Sequence, residues 1–151
     1  RVATSLGVAP GALYWHIANK QQLITAIAEE ILALVLADSA PDTPAALAEL
    51  LRESMLSRRD GAELVAAALS QPESETRGDV EKQLAQTLPG DGDLRRIGAA
   101  SLLHLVLGAT ALEQARAQHA ADTGAEVPGD ASADFRRGVD LLLTGLATSR
   151  G

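Results

Sequence analysis

The side chains with the most distinctive chemistry lie close together near the start of the chain. Tyr14, Trp15 and His16 are consecutive, and Lys20 follows about one helical turn later. A Leu-Tyr-Trp cluster at helical spacing is more often part of a hydrophobic core, and Trp15 could face inward. Aromatic, imidazole and ammonium groups that follow a glycine-containing bend instead indicate a surface able to contact an anionic partner. We therefore predict a contact surface here.

The other reactive side chains form no catalytic or metal-binding pattern. The chain has no cysteine and no Glu-x-x-His sequence, and its histidines are His16, His104 and His119. On one helix, His104 and His119 would lie roughly 22 Å apart at 1.5 Å per residue, too far to share an ion. We predict no enzyme, no metal and no cofactor, and a helical-bundle enzyme is the least favoured alternative. For His104, a buried core position and a ligand contact both remain open.

Composition and apolar spacing predict an all-α protein. The 151 residues are 46% hydrophobic with one Phe, so the core must consist of Leu, Ile, Val and Ala. Apolar residues recur at helical spacing almost throughout, without the alternation typical of strands. The longest uncharged apolar run, 97–112, is shorter than the roughly 20 residues that span a bilayer. We predict no membrane association, and the absence of cysteine is consistent with the cytoplasm.

Turn residues divide the chain into helices and two regions. Gly7 can end one helix and Pro10 can begin the next, and Asn19 is a plausible cap for a helix over about 20–37. Further helices are expected from Thr43-Pro44 through Met55 and over 62–69 and 73–88. After a loop at 89–92, two apolar segments, 99–112 and 135–147, are expected to be helical as well. We predict an N-terminal region, 1–37, and a C-terminal region, 38–151.

The segment 6–20, LGVAPGALYWHIANK, resembles the helix-turn-helix of the TetR family of bacterial transcription regulators. The resemblance covers roughly residues 1–35 and implies that the second helix enters the major groove of operator DNA. Residues 1–28 carry two basic side chains and no acidic one, although the chain has a net charge of −7. The residues that the resemblance places at DNA are Arg1, Pro10, Gly11, Ala12, Tyr14, Trp15, His16 and Lys20. Family members begin with a further helix, so we expect this chain to be truncated at its N-terminus and to bind an operator poorly alone.

The C-terminal region is similar to the tetracycline repressors in particular, at 55–62, 81–85, 104–108 and 138–145. That subfamily binds its drug as a metal complex. Here Leu36 and Val65 stand near the positions of two histidines, and Glu113 lies near that of a metal-supporting carboxylate. Without a histidine partner a metal is not expected, and we predict a largely apolar effector cavity. The predicted lining residues are Leu36, Leu47, Leu51, Met55, Val65, Leu69, Gln83, His104 and Leu107.

The two apolar segments near the C-terminus predict a homodimer. Residues 99–112 are apolar on nearly every face of a helix, so other helices must cover all of them. The resemblance implies a four-helix interface between two subunits, and the alternative is the central core of a monomer. The predicted interface residues are Leu102, Leu105, Val106, Val139, Leu142, Leu143 and Leu146. Together these patterns predict a ligand-responsive repressor that binds a palindromic operator. A regulator that needs its ligand for DNA binding, or a ligand- or partner-binding dimer that has lost DNA binding, remain alternatives.

Overall fold

The computed structural model describes residues 10–72, 74–126 and 129–149; for residues 10–18 it describes only the helical backbone. This part of the chain contains helices and no strand, which confirms the predicted all-α class. The helices are α1 (Pro10–Leu32), α2 (Pro44–Leu56), α3 (Gly61–Leu69), α4 (Glu75–Thr87), α5 (Gly92–Thr123) and α6 (Ala131–Thr148).

Helix α1 is longer at its start and shorter at its end than the sequence pattern predicts. It continues without a break through Asn19, so the predicted helix start at that residue is wrong. Asparagine inside a helix costs at most about 0.7 kcal/mol relative to alanine, and the flanking Ala, Leu, Ile and Gln residues favour helix. The helix ends at Leu32 rather than near residue 37, and 33–40 continue as turns.

The later helices begin at residues whose backbone chemistry favours a helix start. Pro44 occupies the first turn of α2 after Thr43, as predicted. Asp91 caps α5 by accepting a hydrogen bond of 2.9 Å from the Leu94 backbone N–H. Gly90, in the loop before it, has a φ of +109°, a conformation that side chains disfavour. These local features explain why α2 begins where the sequence predicts and why α5 begins already at Gly92, before the predicted segment 99–112.

The core is aliphatic, as the composition predicts, and α5 runs through its centre. Helix α5 packs against α2, α3, α4 and α6, and α1 packs mainly against α3. Thr110 is fully buried in α5, but its hydroxyl donates to the carbonyl of Val106 at 2.7 Å, so its polar atom has a partner. The largest fully buried apolar side chains are Leu32, Val35, Leu47, Leu51, Met55, Val65, Val80, Leu84, Leu102, Leu103 and Val106.

Helix α5 is long and apolar enough to cross a membrane if length and composition alone are considered. Its most apolar window of 18 residues has a mean hydropathy of 1.2, and one third of that window is buried within the chain. Core helices of soluble proteins meet the same criterion. Helix α5 also packs against four other helices of the described chain.

Candidate functional site

The predicted DNA-contacting residues lie at the start of α1. Arg1 lies outside the described residues. Pro10, Gly11, Ala12, Tyr14, Trp15 and His16 follow one another on the helical backbone, but their side chains are also outside the description. Lys20 is exposed on the same helix. Their contacts with DNA therefore stay a prediction.

Two polar contacts connect α1 to the rest of the chain. The Gln71 side-chain amide donates to the Thr25 hydroxyl at 3.2 Å, and Arg58 forms a 2.5 Å ion pair with Glu30. Ala28 and Leu32, on the same half of α1, are fully buried. The C-terminal half of α1 is thus attached to the segment that joins α2 and α3 and to the end of α3.

We name residues 57–61, which join α2 to α3, the α2–α3 corner. Asp60 has a φ of +58°, the left-handed region, and accepts a hydrogen bond from the amide of Gln118 on α5. Gly61 leaves no room for a side chain, because a Cβ there would lie 2.1 Å from the Met55 carbonyl oxygen. A side chain at that position would therefore force this corner to shift.

Gln114 of α5 holds both ends of the α2–α3 corner. Its Nε2 donates to the carbonyls of Met55 at 3.1 Å and Arg58 at 2.9 Å. Its Oε1 accepts from the backbone N–H of Ala62 at 2.9 Å. Sequence analysis missed Gln114 and Gln118. The available signal was their spacing of four residues, which places both amides on one face of α5.

The predicted effector cavity corresponds to part of the hydrophobic core. Leu47, Leu51, Met55 and Val65 are fully buried, Leu69 is nearly so, and all five belong to one packed cluster. Leu36 and Leu107 are half-buried and pack against it, and Gln83 is half-buried on α4. The structure brings these residues to the same region without testing whether a ligand binds among them.

His104 does not belong to this cluster. Its side chain is exposed, so the alternative of a buried core histidine is wrong. The reason is geometric: at 3.6 residues per turn, His104 is rotated by roughly 200° around α5 from both Leu102 and Val106, which are buried. His104 therefore faces away from the core residues with which it was grouped.

Glu113, the candidate metal-supporting carboxylate, is bound to a buried arginine. Its two oxygens accept hydrogen bonds from Nε and Nη2 of Arg52 at 3.0 and 2.7 Å. Nη1 of Arg52 donates to Glu49 at 2.8 Å, and the guanidinium lies 5.3 Å from the centre of the Phe135 ring. Burial lowers the pKa of Arg52, but the hydrogen bonds and charges of Glu113 and Glu49 outweigh it, so the pKa is raised. Within the described residues, no group of three or more potential ligand side chains could hold a metal ion.

Three of the predicted interface residues are buried inside the chain. Leu102 and Val106 are fully buried and Val139 is 2% exposed, so these three cannot contact a second subunit without opening the core. The large apolar residues that α5 and α6 do expose are Ile97, Leu112 and Leu141, at 52%, 57% and 75%. Because nearly all residues of these two segments are apolar, the sequence pattern could not distinguish the buried side chains from the exposed ones. The other predicted interface residues, Leu105, Leu142, Leu143 and Leu146, are half-buried.

The structure is similar to solved structures of bacterial regulators, although no family model matches the chain. The crystal structure of Mycobacterium smegmatis BioQ is 35% identical with a TM-score of 0.76, over 98% of this chain and 84% of that one. BioQ with its natural double-stranded DNA operator matches over 97% and 83%, with a TM-score of 0.68. The class A tetracycline repressor from transposon 1721 of Escherichia coli is 29% identical over 99% of this chain and 81% of that protein.

The chain belongs to the TetR family of transcriptional regulators. A further solved structure, a TetR variant from Acinetobacter baumannii AYE in complex with minocycline, is 26% identical with a TM-score of 0.68. It matches over 99% of this chain and 84% of that one. TetR-family proteins regulate transcription and are not enzymes, so this chain is not an enzyme. The family and fold class predicted from the sequence are confirmed.

Proposed function

We propose that this TetR-family chain is a ligand-responsive repressor that binds a palindromic operator as a homodimer and releases it when a small, largely apolar effector binds. The observation that carries the proposal is the match to BioQ in complex with its operator, which extends over 97% of this chain at 35% identity. It acts in the cytoplasm, where its operator is found.

In this proposal residues 1–37 belong to the DNA-binding region and 38–151 to the effector-binding and dimerisation region. The start of α1 presents Tyr14, His16 and Lys20 to DNA, and the basic excess of residues 1–28 provides the local positive charge that phosphate contacts need. The end of α1 contacts the body through Thr25 and Glu30. A displacement of the α2–α3 corner would therefore move the DNA-binding end.

The proposed dimer face is the exposed apolar side of α5 and α6. On α5 it comprises Ile97, His104, Gly108 and Leu112, which recur every four to seven residues and are all exposed. On α6 it includes Leu141, the most exposed of the large apolar side chains that the structure describes. Pairing two copies through this face would remove these side chains from water and present two DNA-binding ends to a two-fold symmetric operator.

The proposed effector site is the core cluster around Leu47, Leu51, Met55, Val65 and Leu69, with Gln83 and Leu107 at its edge. The minocycline complex of a relative supports a small-molecule ligand. Because the five core side chains are packed together, an effector must separate α2 and α3 to enter. The separated arrangement would displace the α2–α3 corner, and binding would lower operator affinity by favouring that arrangement.

The proposal is tested with the full-length gene product and the DNA upstream of its own gene. We expect Leu141→Glu to give a monomer in analytical ultracentrifugation and to weaken operator binding in a gel shift by about tenfold or more. Leu34→Glu is the matched control, since Leu34 is 65% exposed but lies outside the proposed dimer face. A monomeric wild type, or a wild type without operator binding, would contradict the proposal. The second result would favour the dimer that has lost DNA binding. Tight, magnesium-dependent binding of tetracycline would contradict the apolar effector site.

A further inference from the structure

A second cavity lies between α2 and α6, outside the core cluster. Its volume is about 360 Å³, within the range of small-molecule sites. Residues on α2 and α6 line it, and those used below are Ala46, Glu49, Glu53, Phe135, Arg136, Val139 and Asp140. We name it the α2–α6 cavity.

The lining combines an apolar surface with an excess of negative charge. Phe135 and Val139 are almost fully buried and provide an aromatic ring and a methyl surface. The carboxylates of Glu49, Glu53 and Asp140 also line the cavity, together with one cation, Arg136. The guanidinium of Arg136 already donates to Ser132 at 2.6 Å. A ligand that matches this surface has an apolar body and carries positive charge.

One oxygen atom at this cavity has an unfilled hydrogen-bonding capacity. Oε1 of Glu49 accepts from Arg52, but Oε2 is buried and has no hydrogen-bond partner among the described residues. Buried acceptors are nearly always paired. Glu49 lines the cavity and its side chain is 25% exposed, and reaching this oxygen requires the carboxylate to turn toward the cavity. A donor arriving from the cavity would satisfy it.

We propose that the α2–α6 cavity binds an organic cation, namely a protonated amine with a short aromatic or aliphatic body. The body lies against Phe135 and Val139, and the ammonium group donates to Glu49, with Asp140 and Glu53 adding negative charge.

This site is separate from both surfaces of the proposed repressor. On α2, Glu49 is rotated by roughly 200° from Leu47, so the cavity and the core cluster use opposite faces of that helix. On α6, Asp140 and Leu141 are adjacent in sequence and point about 100° apart, and Leu141 belongs to the proposed dimer face. The cavity and the proposed dimer face therefore use different faces of α6, and the cavity and the effector site use different faces of α2.

The test uses 4-phenylbutylammonium and its neutral analogue 4-phenylbutanol, titrated by calorimetry into the purified 151-residue chain. We expect the ammonium compound to bind about tenfold or more tightly than the alcohol, because only the former pairs with the carboxylates. Ala46→Leu places a larger side chain at an exposed position of the cavity and should abolish binding. Glu49→Gln and Asp140→Asn should each weaken it, Glu49→Gln by about tenfold.

The control variant is Asp134→Asn, which makes the same charge change on α6 at an exposed residue that does not line this cavity. It should leave the affinity within a factor of about two, because Asp134 is exposed and paired with Arg137, and surface charges of this kind contribute little. Equal affinity of the chain for the ammonium compound and the alcohol would overturn the proposal. Unchanged binding of the ammonium compound to Ala46→Leu would also overturn it, as would equal losses of affinity in Asp140→Asn and Asp134→Asn. Because Asp140 does not contact Arg52, its variant tests the site even if Glu49→Gln disturbs the packing.

Discussion

Replacing Gln114 with leucine should destabilise the chain by about 2 to 4 kcal/mol. Leucine is close to glutamine in size, so the change removes three hydrogen bonds to the α2–α3 corner with little loss of volume. The buried Ala62 N–H loses the partner that the structure gives it, and an unpaired buried donor costs about 1 to 3 kcal/mol. The other two hydrogen bonds each contribute about 0.5 to 1.5 kcal/mol net.

For the two hydrogen bonds to carbonyl groups, we expect a loss in the lower half of the range of about 0.5 to 1.5 kcal/mol each. The Met55 carbonyl also accepts from the Arg58 N–H at 3.3 Å, and the Arg58 carbonyl accepts from the Gly61 N–H at 3.1 Å. Neither carbonyl is therefore left without a partner when the amide is removed. The unpaired N–H of Ala62 should account for most of the measured loss.

Urea unfolding followed by circular dichroism measures this loss. The matched control is Gln86→Leu, the same substitution at an exposed position of helix α4, which should change the free energy of unfolding by no more than about 0.5 kcal/mol. The slope of the free energy against urea should be unchanged in both variants, so that only the midpoint moves. A loss below about 0.5 kcal/mol for Gln114→Leu, within the range of ordinary surface substitutions, would refute the reasoning.

Two further substitutions test other parts of the described structure. Arg52→Leu should lower the free energy of unfolding by about 2 to 4 kcal/mol, because it leaves Glu113 and Glu49 without their buried cation. Combining Arg52→Leu with Glu113→Leu should recover most of that loss. A double variant as unstable as the single one would contradict this account. Gly61→Ala should cost about 1 to 3 kcal/mol, because its methyl group meets the Met55 carbonyl. Gly78→Ala is its control: a Cβ there meets nothing within 4 Å, and it should stabilise helix α4 by about 0.5 to 1 kcal/mol. Equal effects of the two glycine substitutions would be inconsistent with the close approach at Gly61.

Features that depend on neighbouring residues were predictable from the sequence. Helical apolar spacing predicted the all-α class, and Thr43-Pro44 predicted where α2 begins. These succeed because a helix start depends on the φ angles and hydrogen-bonding groups of a few adjacent residues. The aliphatic core also followed from composition, since one Phe leaves Leu, Ile, Val and Ala to fill it.

Features that depend on distant residues were not predictable in this way. The Arg52–Glu113 pair joins residues 61 positions apart, and Gln114 reaches a corner more than 50 residues earlier in the chain. Before folding, nothing distinguishes these side chains from other surface arginines and glutamines. The continuity of α1 through Asn19 also depends on a balance: asparagine weakly disfavours the helix interior, and the helix-forming residues around it outweigh that preference.

The sequence alone thus determined the helical class, the composition of the core and the resemblance of the first 35 residues to a DNA-binding motif. Tertiary structure decided which faces are buried. In the apolar segments of α5 and α6, periodicity cannot separate Leu102 and Val139, which face the core, from Ile97 and Leu141, which face solvent. That choice is made by the positions of the neighbouring helices, because burial is a property of the packed chain and not of the residue type.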